Sequence, residues 1–185
     1  MVTIIDYQER WPKEFQLLAA DLKQVLGPLA LRIDHIGSTS VPGLAAKDII
    51  DIQISVAALS EEIKTRLKDH GYIHVEGILC DHRPPDCTGP DSDWEKLFFR
   101  PPAGTRLANI HIRVLGAPNQ RYPLLFRDYL RAHPATAQAY AELKRRLASN
   151  LADPAMYPEV KDPAVDLIYF AAEDWARQTG WMPER

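Results

Sequence analysis

The first hydrophobic pattern along the chain has the period of an α-helix. It begins at Trp11 and is stopped by Gly27 and Pro28. Pro12 suits the first turn of a helix, where the missing N–H of proline has no intrahelical partner to lose. The pattern predicts one helix with a core-facing apolar stripe. The members of the stripe are Phe15, Leu18, Ala19, Leu22, Val25 and Leu26.

Two later segments alternate between apolar and polar residues, which is the pattern of half-buried β-strands. In the run 49–56, isoleucine and valine side chains share one face, and the other face carries Asp51 and Gln53. The run 107–115 has a polar face of its own. We expect both apolar faces to pack into one core, which would turn both polar faces toward one open cleft. The polar residues of the second run are Asn109, His111 and Arg113.

Weaker signals mark the elements between these two strands. Ser60, followed by two glutamates, is typical of a helix N-terminus, and Gly71 is suited to ending that helix. Short strand candidates lie at 72–75 and 96–100. The segment 80–93 is rich in Pro, Gly and Asp, which predicts a long, mobile surface loop.

The last third of the chain is helical in pattern. Pro134 and Pro163 each precede apolar residues at helical spacing, so we predict a helix after each of them. Strand signals are confined to about residues 31–115, ahead of these helices. This order favours an α+β fold in which the helices pack mainly on one face of the sheet.

Composition and charge narrow the class of protein. The chain has 185 residues, 46% of them hydrophobic and 25% charged, and a net charge of -3. These values are typical of a globular protein, and the length predicts one domain over 1–185. The charge gives no strong nucleic-acid signal. No apolar run approaches the roughly 20 residues that span a bilayer, and only two cysteines occur, so we expect a cytoplasmic protein without a membrane partner.

Candidate chemistry is concentrated where a Gly-Ser pair precedes the first alternating strand. Gly37 allows close backbone approach to a ligand, and Ser38 with the following N–H groups can bind phosphate. Asp51 and Gln53 are two residues apart on a strand, so both side chains can address one metal or one substrate. His111 could serve as an acid-base group and Arg113 as a charge clamp for phosphate.

The segments GSTSVPGLAAKDIID at 37–51 and LFRDYLRAHP at 125–134, with Tyr157 and Lys161, resemble the GrpB family. Its members are found alone or fused to dephospho-CoA kinase. The resemblance implies a nucleotidyltransferase-like fold with a mixed sheet. In that fold a Gly-Ser turn holds phosphates. Two carboxylates on one strand and a third on its neighbour bind two magnesium ions.

Matched to that pattern, Gly37 and Ser38 are the turn and Asp51 is the first carboxylate, the implied magnesium ligand. Gln53 stands at the second carboxylate position, and no acid occupies the strand 107–115. A neutral amide cannot offset the charge of a divalent ion, so two-metal catalysis lacks two of its expected ligands.

Four further residues are candidate ligand-binding residues through the resemblance: Arg127, Arg131, Tyr157 and Lys161. Some of these side chains could equally have ordinary structural or surface roles. Asp128 and Glu142 lie nearby, so ordinary ion pairing could explain both arginines, and spacing alone would make Lys161 a solvated lysine. The run Lys144, Arg145 and Arg146 is typical of a solvated helix face.

Three functional hypotheses follow. The first is a nucleotidyltransferase-like protein that binds a nucleotide or other phosphorylated small molecule and transfers a nucleotidyl group with magnesium. Its catalytic residues would be Asp51 and His111. Its ligand contacts would come from Ser38 and Arg113. The second is a noncatalytic module for a nucleotide or a coenzyme-A-related ligand, which the missing carboxylates favour. The third is a structural or interaction domain.

Overall fold

The computed structural model describes residues 2–85 and 87–183. Within this part of the chain, the strands are β1 (Arg32–Ile36), β2 (Ile50–Val56), β3 (Ile73–His74), β4 (Leu97–Arg100) and β5 (Ala108–Val114). The α-helices are α1 (Trp11–Leu26), α2 (Glu61–Asp69), α3 (Pro118–Ala132), α4 (Pro134–Asn150) and α5 (Tyr157–Thr179).

The strands form one mixed sheet in the order β1-β2-β5-β4-β3. β2 and β5 are parallel at its centre, and the other neighbouring pairs are antiparallel. In the central pair, Asp51 lies opposite Asn109 and Gln53 lies opposite His111. The expected α+β class and mixed sheet are confirmed. This register places the polar residues of both alternating segments on the same face of the sheet.

The apolar face of the sheet packs against α1 and α2. Ile52 and Ile54 of β2 and Ile110 and Ile112 of β5 are fully buried in this core. α1 contributes Leu22 and Leu26 from the stripe that predicted it, and α2 contributes Ile63 and Leu67. The side chain of Ser60 accepts a hydrogen bond from the backbone of Ile63, as an N-cap residue does.

The polar face is covered as well, so the helices are not arranged mainly on one side. Gln53 and Ser55 are fully buried, because α3 crosses this face and supplies their hydrogen-bond partners. Gln53 donates to the backbone oxygen of Gln120 at 3.0 Å, and the Gln120 side chain donates to Ser55 at 3.2 Å. α4 and α5 pack with α3 in a second apolar core. β2 is therefore buried on both faces rather than half-buried.

The helical third of the chain differs from its predicted boundaries. α3 had no predicted bounds, and α5 begins at Tyr157, six residues before Pro163. Pro158 lies in the first turn of α5, where proline is well tolerated, whereas Pro163 lies inside the helix. The described residues contain no helix with the length and apolar character needed to cross a membrane.

Candidate functional site

A cavity of about 480 Å³ lies beside the polar side chains of β2 and β5. The turn after β1 and the helices α4 and α5 also border it. Asp51 and His111 both line this cavity, which confirms that the two alternating strands present them to a common concavity. Further residues in the lining come from the turn, the loop before β2, the segment 78–82, the residues at and just before β4, α4 and α5. They include Ser38, Lys47, Tyr140, Lys144, Tyr157 and Lys161.

The turn that follows β1 is built around Gly37. Its φ of 69° lies in the left-handed region, and a Cβ at this position would overlap the Asp51 carboxylate and lie 2.9 Å from Asp51 Cβ. Glycine is thus required both for the turn and for the close approach of Asp51. Ser40 closes the turn, because its hydroxyl donates to the Gly37 carbonyl oxygen at 2.6 Å.

We expect Gly37→Ala to destabilise the protein by about 2 kcal/mol or more, through backbone strain and displacement of Asp51. Gly43→Ala is the matched control, because Gly43 also has a positive φ, of 77°, but an added Cβ would meet no atom within 4 Å. Urea unfolding of both variants measures the difference. Equal losses would show that contact with Asp51 does not constrain the turn.

Asp51 is the carboxylate that lies against this turn. Its Oδ1 accepts a hydrogen bond from Asn109 Nδ2 at 2.9 Å. Burial raises the pKa of Asp51, while the Asn109 hydrogen bond and the charge of Lys161 act in the opposite direction. Arg113 also lowers the pKa of Asp51 through its charge, but its guanidinium is bonded to Asp81 and Gln53. The cations that share the cavity with Asp51 include Lys47, Lys144 and Lys161.

Lys144 is a lysine that contacts the turn directly. Its side chain is not solvated as predicted: the residue is 3% exposed, and Nζ donates to Ser38 Oγ at 2.8 Å and to the Ala45 carbonyl oxygen. Nζ also lies 4.6 Å from the centre of the Tyr140 ring. Burial, with the charge of Lys161, lowers the pKa of Lys144 to about 7.

The sequence did contain a signal for this lysine. Lys144 falls at helical spacing from Ala137, Tyr140 and Ala141, which all face the core. Its two basic neighbours, Arg145 and Arg146, do lie on the outer face, where they pair with acidic side chains. A lysine within an apolar stripe is costly to bury, so its position indicates a specific role.

Lys47 and Lys161 complete the group of ammonium groups around Asp51. Lys47 Nζ lies 4.2 Å from the centre of the Tyr157 ring. Lys161 lines the cavity, so it is not the solvated lysine that its spacing alone predicted, and its Nζ lies 3.9 Å from Asp162 Oδ1. Burial lowers the pKa of both lysines, and for Lys47 the charge of Lys161 adds to that effect. We call Lys47, Lys144 and Lys161 the lysine triad.

Arg113 is held away from the cavity. Its guanidinium makes two hydrogen bonds to Asp81, at 2.7 and 2.8 Å, and one to Gln53 Oε1 at 2.8 Å. Asp81 also accepts from Lys96 Nζ at 2.6 Å. Although burial alone would raise it, the pKa of Asp81 is held well below its usual range by Arg113 and Lys96. Asp81 belongs to the predicted surface loop, but the pairing draws it inward.

His111 contacts this ion cluster, and it lines the cavity together with Asp81 and Lys96. Its Nδ1 is 3.2 Å from Arg113 Nη2 and 3.4 Å from Lys96 Nζ. Because both neighbours are donors, Nδ1 acts as the acceptor and the ring proton is assigned to Nε2. Burial, together with the charges of Arg113 and Lys96, lowers the pKa of His111 well below its usual value. The imidazole of His111 is therefore neutral and can donate a hydrogen bond through Nε2.

Arg127 and Arg131 do not line the cavity that holds Asp51. Arg127 donates to the His35 carbonyl oxygen at 3.1 Å, and Arg131 donates to the Ser40 carbonyl oxygen at 2.7 Å. Asp128 lies within ion-pair distance of both arginines. These contacts fix the backbone on either side of Gly37 and Ser38. The two arginines thus support the turn from α3 rather than face the cavity.

The residues around Asp51 do not fit the two-magnesium site that the fold implies. The Gln53 side chain is occupied by Arg113 and Gln120, and the lysine triad surrounds the one carboxylate that contacts the turn. No group of three or more His, Cys, Asp or Glu side chains suited to a metal occurs among the described residues. Divalent ions need carboxylates to offset their charge, so these side chains do not support a two-metal mechanism.

Comparison with known proteins supports the resemblance seen in the sequence. The family model described as GrpB protein matches residues 1–170. The crystal structure of the conserved protein GrpB from Enterococcus faecalis is 30% identical, with a TM-score of 0.72, and the match covers 94% of this chain and 99% of that one.

Two other matches cover less than half of the matched protein. A dephospho-CoA kinase from Mycolicibacterium paratuberculosis is 38% identical over 98% of this chain and 48% of its own length. This chain thus spans about half the length of the kinases it matches. A cytoplasmic RNA terminal U-transferase has 13% identity and a TM-score of 0.51, over 77% of this chain and 42% of that chain. This second likeness shows a nucleotidyltransferase-like fold alone.

Proposed function

The chain belongs to the GrpB protein family, and we propose that its cavity binds the phosphate groups of a nucleotide or another phosphorylated small molecule. The observation that carries the proposal is the lysine triad beside the Gly37-Ser38 turn. Three ammonium groups with lowered pKa values share one cavity with Asp51 and are not fully neutralised within it. An anion placed among them would relieve their mutual repulsion.

The polar groups around the turn add hydrogen-bonding partners for a phosphorylated ligand. Ser38 Oγ accepts from Lys144 and is also in hydrogen-bond contact with Tyr140, so the hydroxyl group is held in place at the edge of the cavity. The His111 Nε2–H supplies a neutral donor at the edge of the same cavity. Asp51 would accept from ligand hydroxyl groups. The lysines would attract the phosphate through their charge, and the neutral donors would orient it through hydrogen bonds.

The class of ligand is supported by two relationships. Relatives that carry the name dephospho-CoA kinase match this chain over about half of their length, which favours a nucleotide or coenzyme-A-related ligand. The nucleotidyltransferase-like fold adds a second reason to expect nucleotides, because it presents the Gly-Ser turn to its ligand. Neither relationship assigns a reaction to this chain.

Noncatalytic binding is the form of the proposal that the geometry favours over nucleotidyl transfer. In a transferase, Asp51 would hold a metal and His111 would move a proton. Here the neighbouring position, Gln53, is bound to Arg113, and Arg113 is paired with Asp81 instead of facing a developing phosphate charge. The arrangement stabilises a bound anion, and it lacks the carboxylates with which the fold drives transfer.

Titration calorimetry with a panel of ligands tests the proposal. ATP, dephospho-CoA, coenzyme A and inorganic pyrophosphate are compared with adenosine, which has no phosphate group. We expect at least one phosphorylated compound to bind and adenosine to bind far more weakly. Binding of adenosine with the affinity of ATP would contradict phosphate recognition, and binding of no phosphorylated compound would refute the proposed function.

A further inference from the structure

We infer that the positive charge of the lysine triad replaces that of the magnesium ions which the nucleotidyltransferase-like fold implies. The cavity would then bind a polyphosphate or a phosphomonoester dianion without metal. The inference rests on the proposed function and specifies its ligand as a metal-free phosphate anion. It assigns direct phosphate contacts to three lysines that come from separate parts of the chain. Lys47 precedes β2, Lys144 lies on α4, and Lys161 lies on α5.

Two of the three ammonium groups are held by neutral partners. Lys144 is fixed by a hydroxyl group, a backbone carbonyl and the Tyr140 ring, and Lys47 lies over the Tyr157 ring. Neutral partners orient the amines without cancelling their charge. Lys96 is different, because Asp81 binds it directly at 2.6 Å. Lys96 is thus paired directly with a carboxylate, whereas Lys47 and Lys144 are held by neutral groups.

The charge balance inside the cavity favours an anion over a cation. The described lining carries four lysines, the triad and Lys96, against three aspartates, Asp51, Asp81 and Asp162. Lys96 and Asp81 pair with each other at 2.6 Å, which leaves the triad to face Asp51 and Asp162. Asp162 lies at the long distance of 3.9 Å from Lys161 with its side chain 34% exposed. A partly exposed pair at that distance is weak. The triad therefore retains positive charge near Asp51. A divalent cation would add to that charge and be repelled, whereas a phosphate dianion would offset it.

The second carboxylate position of the fold is occupied by a side chain that is engaged elsewhere. Gln53 is fully buried, and both ends of its amide are bonded, to Arg113 at 2.8 Å and to the Gln120 backbone at 3.0 Å. Its oxygen is thus directed at a guanidinium rather than toward Asp51. A metal at Asp51 would have a single anionic ligand from the strand, which is too few for a tight magnesium site.

Calorimetric titration of ATP and pyrophosphate, each in EDTA and again in excess magnesium, tests the inference. We expect both probes to bind in EDTA at least as tightly as in magnesium, because the metal masks phosphate charge that the lysines would contact. Binding that appears only with magnesium would overturn the inference and leave the proposed function intact. Absence of binding by any phosphorylated compound under both conditions would overturn both.

Single substitutions then locate the contacts. Lys47→Gln and Lys161→Gln should each weaken ATP binding in EDTA by about tenfold to a hundredfold, as expected for loss of one charge-assisted hydrogen bond. Lys161→Arg keeps the charge and should retain most of the affinity. Lys13→Gln is the matched control, because Lys13 is exposed on α1, against the other face of the sheet. Unchanged affinity in both glutamine variants, with thermal unfolding showing intact folds, would overturn the inference.

Discussion

Replacing Lys144 by methionine should weaken phosphate binding by about tenfold to a hundredfold and yet make the protein more stable at pH 7. Affinity falls because Lys144 is bonded directly to Ser38 in the proposed phosphate site. Stability rises because an ammonium group that is 3% exposed gives way to an apolar side chain of similar length. Loss of the hydrogen bonds to Ser38 and to the Ala45 carbonyl offsets part of this effect, and we expect a net gain of about 1–3 kcal/mol.

The stability of the wild type should depend on pH in a way that the stability of Lys144→Met does not. The pKa of Lys144 falls from 10.5 to about 7 in the folded protein, mainly through burial. Between these two values the unfolded chain binds more protons than the folded chain, so wild-type stability should increase as pH rises from 7 to about 9. The increase should exceed that of Lys144→Met by about 2 kcal/mol. Urea unfolding at each pH measures both slopes, and parallel slopes would contradict a buried lysine that loses its proton.

Ligand affinity should show the opposite trend with pH. Lys144 gains its positive charge as pH falls from about 9 to 7, so phosphate binding should strengthen over that interval. The second phosphate pKa, near 6, lies outside it. Lys144→Arg remains charged throughout and is the control for this effect. If the arginine variant and the wild type showed the same pH dependence of affinity, the trend would have another origin.

Asp81→Asn should destabilise the protein by about 3–5 kcal/mol, because it leaves two buried cations without their shared carboxylate. Arg113 and Lys96 are 5% and 7% exposed in their side chains and both bind Asp81. His111 would lose its fixed surroundings as well, since both cations contact its Nδ1. Denaturant unfolding gives the loss of stability.

Asp91→Asn is the matched control for this substitution. Asp91 belongs to the same loop and pairs with Arg83 at 3.1 Å, but its side chain is 99% exposed. We expect a change below about 1 kcal/mol, as for other surface ion pairs. A loss at Asp81 no larger than that at Asp91 would show that the buried cluster is not a principal support of the loop.

Much of the fold could be predicted from hydrophobic periodicity. The alternation in β2 and β5 predicted not only the strands but also the shared polar face that holds Asp51 and His111. The helical stripe of α1 and the Ser60 cap of α2 were equally clear. Burial of the second sheet face was not predicted, because Gln53 and Ser55 read as solvent-facing residues. Their partners on α3 lie more than 60 positions away in the chain.

The candidate site was predicted less completely than the fold. One cavity has in or beside it six of the predicted residues: Gly37, Ser38, Asp51, His111, Tyr157 and Lys161. The three predicted arginines lie elsewhere. Arg113 is paired with Asp81, and Arg127 and Arg131 bind backbone carbonyl groups near the turn. An arginine carries the same sequence signal in either role. Asp81 could not be assigned from the sequence, because a polar loop gives no indication of which carboxylate turns inward. Lys144 could have been found from its place in an apolar stripe.

A crystal structure of the protein grown with ATP and EDTA tests metal-free phosphate binding most directly. We predict a phosphate group in the cavity, within about 3 Å of Ser38 Oγ and of at least two ammonium groups of the lysine triad. Its charge would be met by Lys144 beside the Gly37 turn. Phosphate density on other residues, for example in the groove beside Arg131 and Pro134, with the lysine triad left without contact to ligand, would contradict this assignment of the site.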